Sequence, residues 1–202
     1  MSQQTPRRVD VPQAGTRVEV DHTLWTAPGS VPPTHAELGW DAEALHCRLV
    51  SAEDSPLTRH HQPNSPVHLD SCLEWFLAPW PGEDLYLNLE ANSAGTLFAA
   101  FGSTTQRELL SDHLRALVHV RAEVSPHQWS VTFQVPQTLL DALADQVGRA
   151  RPELAVGTIF GANFYKCGDE TEVEHYGAWN PITGDEPQFH RPDQFGQLVL
   201  VP

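Results

Sequence analysis

Hydrophobic and polar positions alternate along much of this chain, most clearly from Leu85 to Glu90. Leu85, Leu87 and Leu89 fall on one side, and Tyr86, Asn88 and Glu90 on the other. That is the period-two pattern of a half-buried strand. Asn92-Ser93-Ala94-Gly95 supplies turn chemistry and Thr96 to Phe101 returns, which predicts a β-hairpin. Trp129, Val131, Phe133 and Val135 repeat the alternation until Pro136 ends it. Further strands are predicted at Thr16–Trp25, His35–Gly39, Ala44–Val50, Asp70–Leu77, Val118–Val124, Gly157–Lys166 and Leu198–Val201. One segment, Thr138–Val147, keeps helical spacing instead. Its Leu139, Leu140, Leu143 and Val147 form a single stripe, and Gly148 is a candidate cap.

Nine or more strands and one helix do not follow the regular strand–helix alternation of a doubly wound or barrel fold. The predicted fold is all-β: two antiparallel sheets packed as a sandwich, with one short docked helix. Residues 1–15 are polar, with Pro6, Pro12 and Gly15, and read as a flexible N-terminal arm. Residues 16–202 read as one sandwich domain, a size common for such folds.

Charge narrows the partners. The formal net charge is -14, and Lys166 is the only lysine. A phosphate backbone needs a basic footprint that this chain lacks, so nucleic acid is not an expected partner. An acidic surface is compatible with a neutral sugar. No stretch approaches the roughly 18 apolar residues of a membrane span. No apolar stretch follows the polar start from Met1 to Arg8, so no secretion signal is visible. The expected location is cytoplasmic, with an extracytoplasmic one left open.

Candidate chemistry is sparse. Asp70 and Glu74 are four apart and would share a strand face, a placement open to a glycosidase-type carboxylate pair, to polar ligand contacts or to plain structural use. The eleven histidines include no HExxH, and His175, His190 and Asp169 fall in one region at irregular spacing. Cys47, Cys72 and Cys167 show no metal or redox spacing and read as small core hydrophobes. No nucleophile elbow or Gly-rich phosphate loop is present. Six tryptophans remain. Aromatic planes combined with few polar groups suit sugar rings. Trp129 sits on an inward strand face, whereas Trp179 lies in the turn-rich stretch Tyr176–Pro181, open to a core role or to ligand contact.

Several ordered segments resemble the family 9 carbohydrate-binding modules and the CBM9-like, DOMON-like β-sandwiches around them. These are Leu38-Gly39-Trp40-Asp41 through Leu45, Asp70–Leu77, Tyr86–Gly95, Gly161–Asp169, Trp179-Asn180-Pro181 and Phe189–Leu200. The resemblance implies a sandwich of jelly-roll character, often with bound calcium. It further implies non-catalytic binding of an oligosaccharide or polysaccharide end in a slot between two aromatic walls. By position, Glu74 matches the slot carboxylate, Asn88 stands where an arginine would, Tyr165 falls near a glutamine, and Phe189 replaces one wall tryptophan. The other wall falls near Val67. Phe189, Glu74, Asn88, Tyr165 and Trp179 are therefore the candidate ligand-binding residues. No catalytic residue is assigned, no cofactor is certain, and structural Ca2+ is the possible one. A structural or protein-interaction domain retaining the fold is the alternative reading, followed by a carbohydrate enzyme using a carboxylate pair.

Overall fold

The computed structural model describes residues 5–202. Its strands are β1 (Arg8–Pro12), β2 (Thr16–Glu19), β3 (His22–Thr23), β4 (Thr34–Trp40), β5 (Ala44–Ser51), β6 (Cys72–Ala78), β7 (Tyr86–Asn92), β8 (Leu97–Gly102), β9 (Arg107–Leu109), β10 (His119–Ser125), β11 (Gln128–Pro136), β12 (Ile159–Gly168), β13 (His175–Ala178) and β14 (Gly196–Val201). The helices are α1 (Asp112–Arg115) and α2 (Gln137–Val147). The larger sheet runs β1-β14-β12-β6-β7-β8-β9, with β13 also on β12 and β3 on β13; the smaller runs β10-β11-β5-β4-β2. Pairing is antiparallel throughout except between β1 and β14.

The sandwich follows from the alternation. Leu73, Trp75 and Leu77 of β6, with Leu87 and Leu89 of β7, face Cys47 and Leu49 of β5 and Val131 and Phe133 of β11 across one core. Leu139, Leu140 and Leu143 dock α2 onto it. Gly148 ends this helix at φ 64, a left-handed position that costs glycine nothing.

Two features depart from the sequence reading. The half-buried pattern of β7 is buried on both faces, as are β6 and nearly all of β12. Phe76, Tyr86, Tyr165 and Tyr176 form a second cluster on the outer face, roofed by Leu24, Ile182 and Phe195. The predicted arm also contributes structure: residues 8–12 form β1 on β14, and Val11 is 1% exposed. Residues 1–4 of that arm lie outside the described residues.

Short polar side chains hold the roof. Along β12, β14 pairs with residues 159–162 and β13 with 165–168. Asn163 fills the interval. Its Oδ1 accepts the Asn180 N–H at 2.8 Å, and its Nδ2 donates to the Asn180 carbonyl at 2.8 Å. Asn180 in turn accepts the Arg7 N–H at 2.7 Å and donates to the Gln194 carbonyl at 2.7 Å. Trp179 lies over Gly196, where a Cβ would come within 2.3 Å of its ring. The Trp179-Asn180-Pro181 motif thus anchors the covering segment.

Candidate functional site

The outer face of the larger sheet carries a cavity of ≈190 Å³ bordered by Trp25, Tyr176, Phe189, Glu74, Glu90 and Asp169, with His68, Cys167 and His190 at its edges. Strand alternation places the floor. Glu74 on β6 stands directly opposite Glu90 on β7, and both turn away from the leucine-rich core. Asp169 follows the end of β12, and Tyr176 rises from β13.

The roof supplies the wall. Trp25 sits at φ 55, a backbone region that few side chains occupy. The Thr26 N–H donates to the Leu24 carbonyl at 2.7 Å and closes a three-residue turn around it. Its indole N–H donates to the Gly184 carbonyl at 2.8 Å, tying the turn to the covering segment. The Trp25 ring centroid is 5.9 Å from that of Tyr176 and 5.9 Å from that of Phe189. The three rings make one continuous aromatic wall rather than two facing plates.

The floor is electrostatically unusual. Burial, then the neighbouring Cys167 and Glu90, push the Glu74 carboxyl well above its ordinary range. Burial lifts Glu90 to about 7, against the Asn88 amide that donates to it at 2.6 Å. Burial also raises Asp169. His190 goes the other way: burial and Arg107 lower it to about 3, and Arg107 donates to its Nδ1 at 2.8 Å. The slot therefore presents aromatic carbon, neutral-leaning carboxyl groups that both donate and accept, and a neutral imidazole.

The structure brings two of the five sequence candidates to this cavity. Phe189 lies in the wall and Glu74 in the floor. Tyr165 is buried behind Phe189, and its hydroxyl donates to the Phe189 carbonyl at 3.1 Å. Asn88 is buried beside Glu90 on the same sheet face, outside the cavity. Trp179 belongs to the core between the sheets, packed on Phe164, because its neighbours on the outer face are Ala178 and Asn180. Val67 is buried in a short helical turn under the roof and gives no aromatic wall; Trp25 stands beside Phe189 in the one wall present.

Asp70 and Glu74 do not form a pair. Asp70 precedes β6 and accepts the Arg59 and His60 N–H groups at 3.0 Å each and the Asn92 amide at 2.9 Å. Its carboxylate is spent on latching that loop to the β7–β8 hairpin. Trp25, Tyr176 and Glu90 were not among the sequence candidates, and Asp169 entered only beside His175 and His190 as a possible metal group. Glu90 was signalled by sharing a face with Asn88; a left-handed tryptophan has no sequence signature.

A wider depression of ≈640 Å³ lies beside Glu53, Glu170, Glu172 and His175. It has no Trp, Tyr or Phe in its lining, so it lacks the stacking surface that a sugar face needs. Among the described residues, the one group bringing three His, Cys, Asp or Glu ligand atoms together is Cys72, Glu74 and Cys167. Two sulfurs in three donors do not fit calcium, which takes six to eight oxygens.

The family model described as carbohydrate-binding family 9 matches residues 4–200. No curated protein sequence matches the chain significantly. Solved structures do. A provisionally assigned carbohydrate-binding protein from Bacteroides uniformis aligns with a TM-score of 0.81 at 21% identity, over 97% of this chain and 100% of that one. A family 9 module from Caldicellulosiruptor kristjanssonii in complex with cellotriose aligns with a TM-score of 0.62 at 13% identity, over 96% and 94%. One from the same organism in complex with glucose aligns at 0.58 and 15% identity, over 96% and 95%. These likenesses establish the fold.

Proposed function

The chain belongs to carbohydrate-binding family 9, and from that premise we propose that it binds the end of an oligosaccharide or polysaccharide, without catalysis, in the slot walled by Trp25, Tyr176 and Phe189. The observation that carries this reading is the meeting of that aromatic wall with the buried carboxyl groups of Glu74 and Glu90 in one cavity. A sugar ring offers an apolar face to the wall and hydroxyls to the floor. The relatives solved with cellotriose and with glucose make gluco-configured ends the first ligands to try here.

Roles follow from position. Phe189 and Trp25 supply stacking surface, while Glu74 and Glu90 exchange hydrogen bonds with hydroxyls. Tyr165 holds Phe189 from behind, and Asn88 orients Glu90. Because the aromatic surface is one-sided, a modest affinity is expected.

A glycan array spanning reducing and non-reducing ends, probed with the wild-type chain and with Glu74→Gln, tests the proposal. Selective binding that weakens in the variant supports it. An array with no responding glycan overturns it. In that case the structural or interaction reading gains ground, favoured by the burial of Asn88 and Tyr165.

A further inference from the structure

The floor of the slot has a property that does not depend on a sugar. Cys72 and Cys167 are paired directly across β6 and β12, and Glu74 lies two residues along β6 on the same face. One Sγ from each cysteine and one Glu74 carboxylate oxygen lie within 4.8 Å of one another. Cys167 Sγ is 3.0 Å from Glu74 Oε1. All three residues are buried. A tetrahedral ion with metal–ligand bonds of about 2.0 to 2.3 Å holds its donors roughly 3.3 to 3.8 Å apart, so the group is already close to a ligand set.

We propose that Cys72, Cys167 and Glu74 form a binding site for a thiophilic divalent cation of the zinc class, with a fourth position open to the slot. The donor set selects the ion: two thiolates and a carboxylate suit zinc and disfavour calcium and magnesium. The chain's one lysine, Lys166, points through the sheet to Glu53, 3.2 Å away, and does not occupy this position. Binding of a cation by these thiols and this carboxyl would release their protons. Glu74 and Cys167 both border the cavity, which gives the ion an entry path and a place for its fourth ligand.

The test uses the full chain, reduced and freed of metal, titrated with Co2+ and then Zn2+. Sulfur-to-cobalt charge-transfer absorption reports thiolate ligation, which surface histidines cannot mimic. The expected result is one equivalent of Co2+ with that absorption, displaced by Zn2+. Cys72→Ser and Cys167→Ser each weaken or abolish it. Glu74→Gln lowers affinity by at least about tenfold, the scale of loss known for outer-shell partners. Cys47→Ser, altered in the separate inter-sheet core, retains the signal. Thermal unfolding guards against misfolded variants: Zn2+ raises the midpoint of wild type and Cys47→Ser in a concentration-dependent way, but not that of Cys167→Ser. A wild-type chain with no charge-transfer band overturns the site, as does a band or a Zn2+-dependent midpoint that survives the double Cys72→Ser, Cys167→Ser change.

Discussion

The ring of Phe189 lies flat on that of Tyr165, with centroids 4.1 Å apart and planes 9° from parallel. One face of Phe189 is therefore taken up by Tyr165, leaving the other side and its edges for a ligand. Tyr165, which the sequence placed among ligand contacts, stands behind the wall and fixes its angle.

That arrangement separates two substitutions. Tyr165→Phe keeps the stack and loses only the hydroxyl's bond to the Phe189 carbonyl, at a cost of about 1 kcal/mol in stability with little change in sugar affinity. Tyr165→Ala removes a buried ring, costs roughly 3 to 5 kcal/mol, and weakens binding by releasing Phe189. Denaturant unfolding and calorimetry on both variants check the contrast.

Trp25 carries backbone strain at the slot. Its φ of 55 costs an ordinary residue about 1 to 2 kcal/mol and glycine nothing. Trp25→Gly should therefore be more stable than Trp25→Ala by about 1 kcal/mol in denaturant unfolding, although both lose the indole and both bind sugar less well. Equal stability of the two would mean that the turn relaxes without cost.

His190 links the roof to pH. Its folded-state value is lowered from 6.5 to about 3 by burial, Arg107 and His68. Between those values the unfolded chain binds a proton that the folded chain refuses, so stability falls as pH drops from about 6.5 towards 3. His190→Gln should flatten the stability–pH curve in that window by up to about one proton's slope, measured by denaturant unfolding at several pH values.

The sandwich was legible because alternation reports directly on which face of a strand is buried, and Leu85 to Glu90 and Trp129 to Val135 alternate cleanly. The helix at residues 137–147 was legible from its leucine stripe, as was its glycine cap. The second buried face was not, because polar Asn88 and Glu90 look the same whether they meet solvent or a roof 100 residues away. β13 escaped notice because His175-Tyr176-Gly177-Ala178 is short and carries a glycine. β1 was missed because Arg8 to Pro12 looks polar until β14 pairs with it. Half of the slot depends on such distant packing. Glu74 and Phe189 were found by motif position, whereas Trp25 reaches the slot only through a turn that no local pattern announces.

Lys166 shows the same dependence on tertiary context. It is fully buried and lies 3.2 Å from Glu53, whose side chain is 15% exposed. Burial opposes charge on Glu53, yet Lys166, Ser71 and Trp129 hold its carboxyl below the ordinary range. Glu53→Gln removes the countercharge but leaves the ammonium the Cys167 carbonyl at 3.0 Å and His175 Nε2 at 2.8 Å, so it should cost about 3 kcal/mol, the low end for breaking a buried pair. Lys166→Met leaves Glu53 with its other donors and some water, and should cost less. A double-mutant cycle read by denaturant unfolding measures the coupling; equal costs would place the pair's energy elsewhere.

The central claim, that a sugar binds against the Trp25–Phe189 wall, meets its most direct test in titration calorimetry with glucose and gluco-oligosaccharides. The wild-type chain should show saturable binding with one site. Phe189→Ala should weaken it roughly 2- to 12-fold, the equivalent of about 0.5 to 1.5 kcal/mol of stacking, and Trp25→Ala should weaken it further. Binding to the wild type that is unchanged in both variants would contradict the account, as would no heat from any sugar at millimolar concentration.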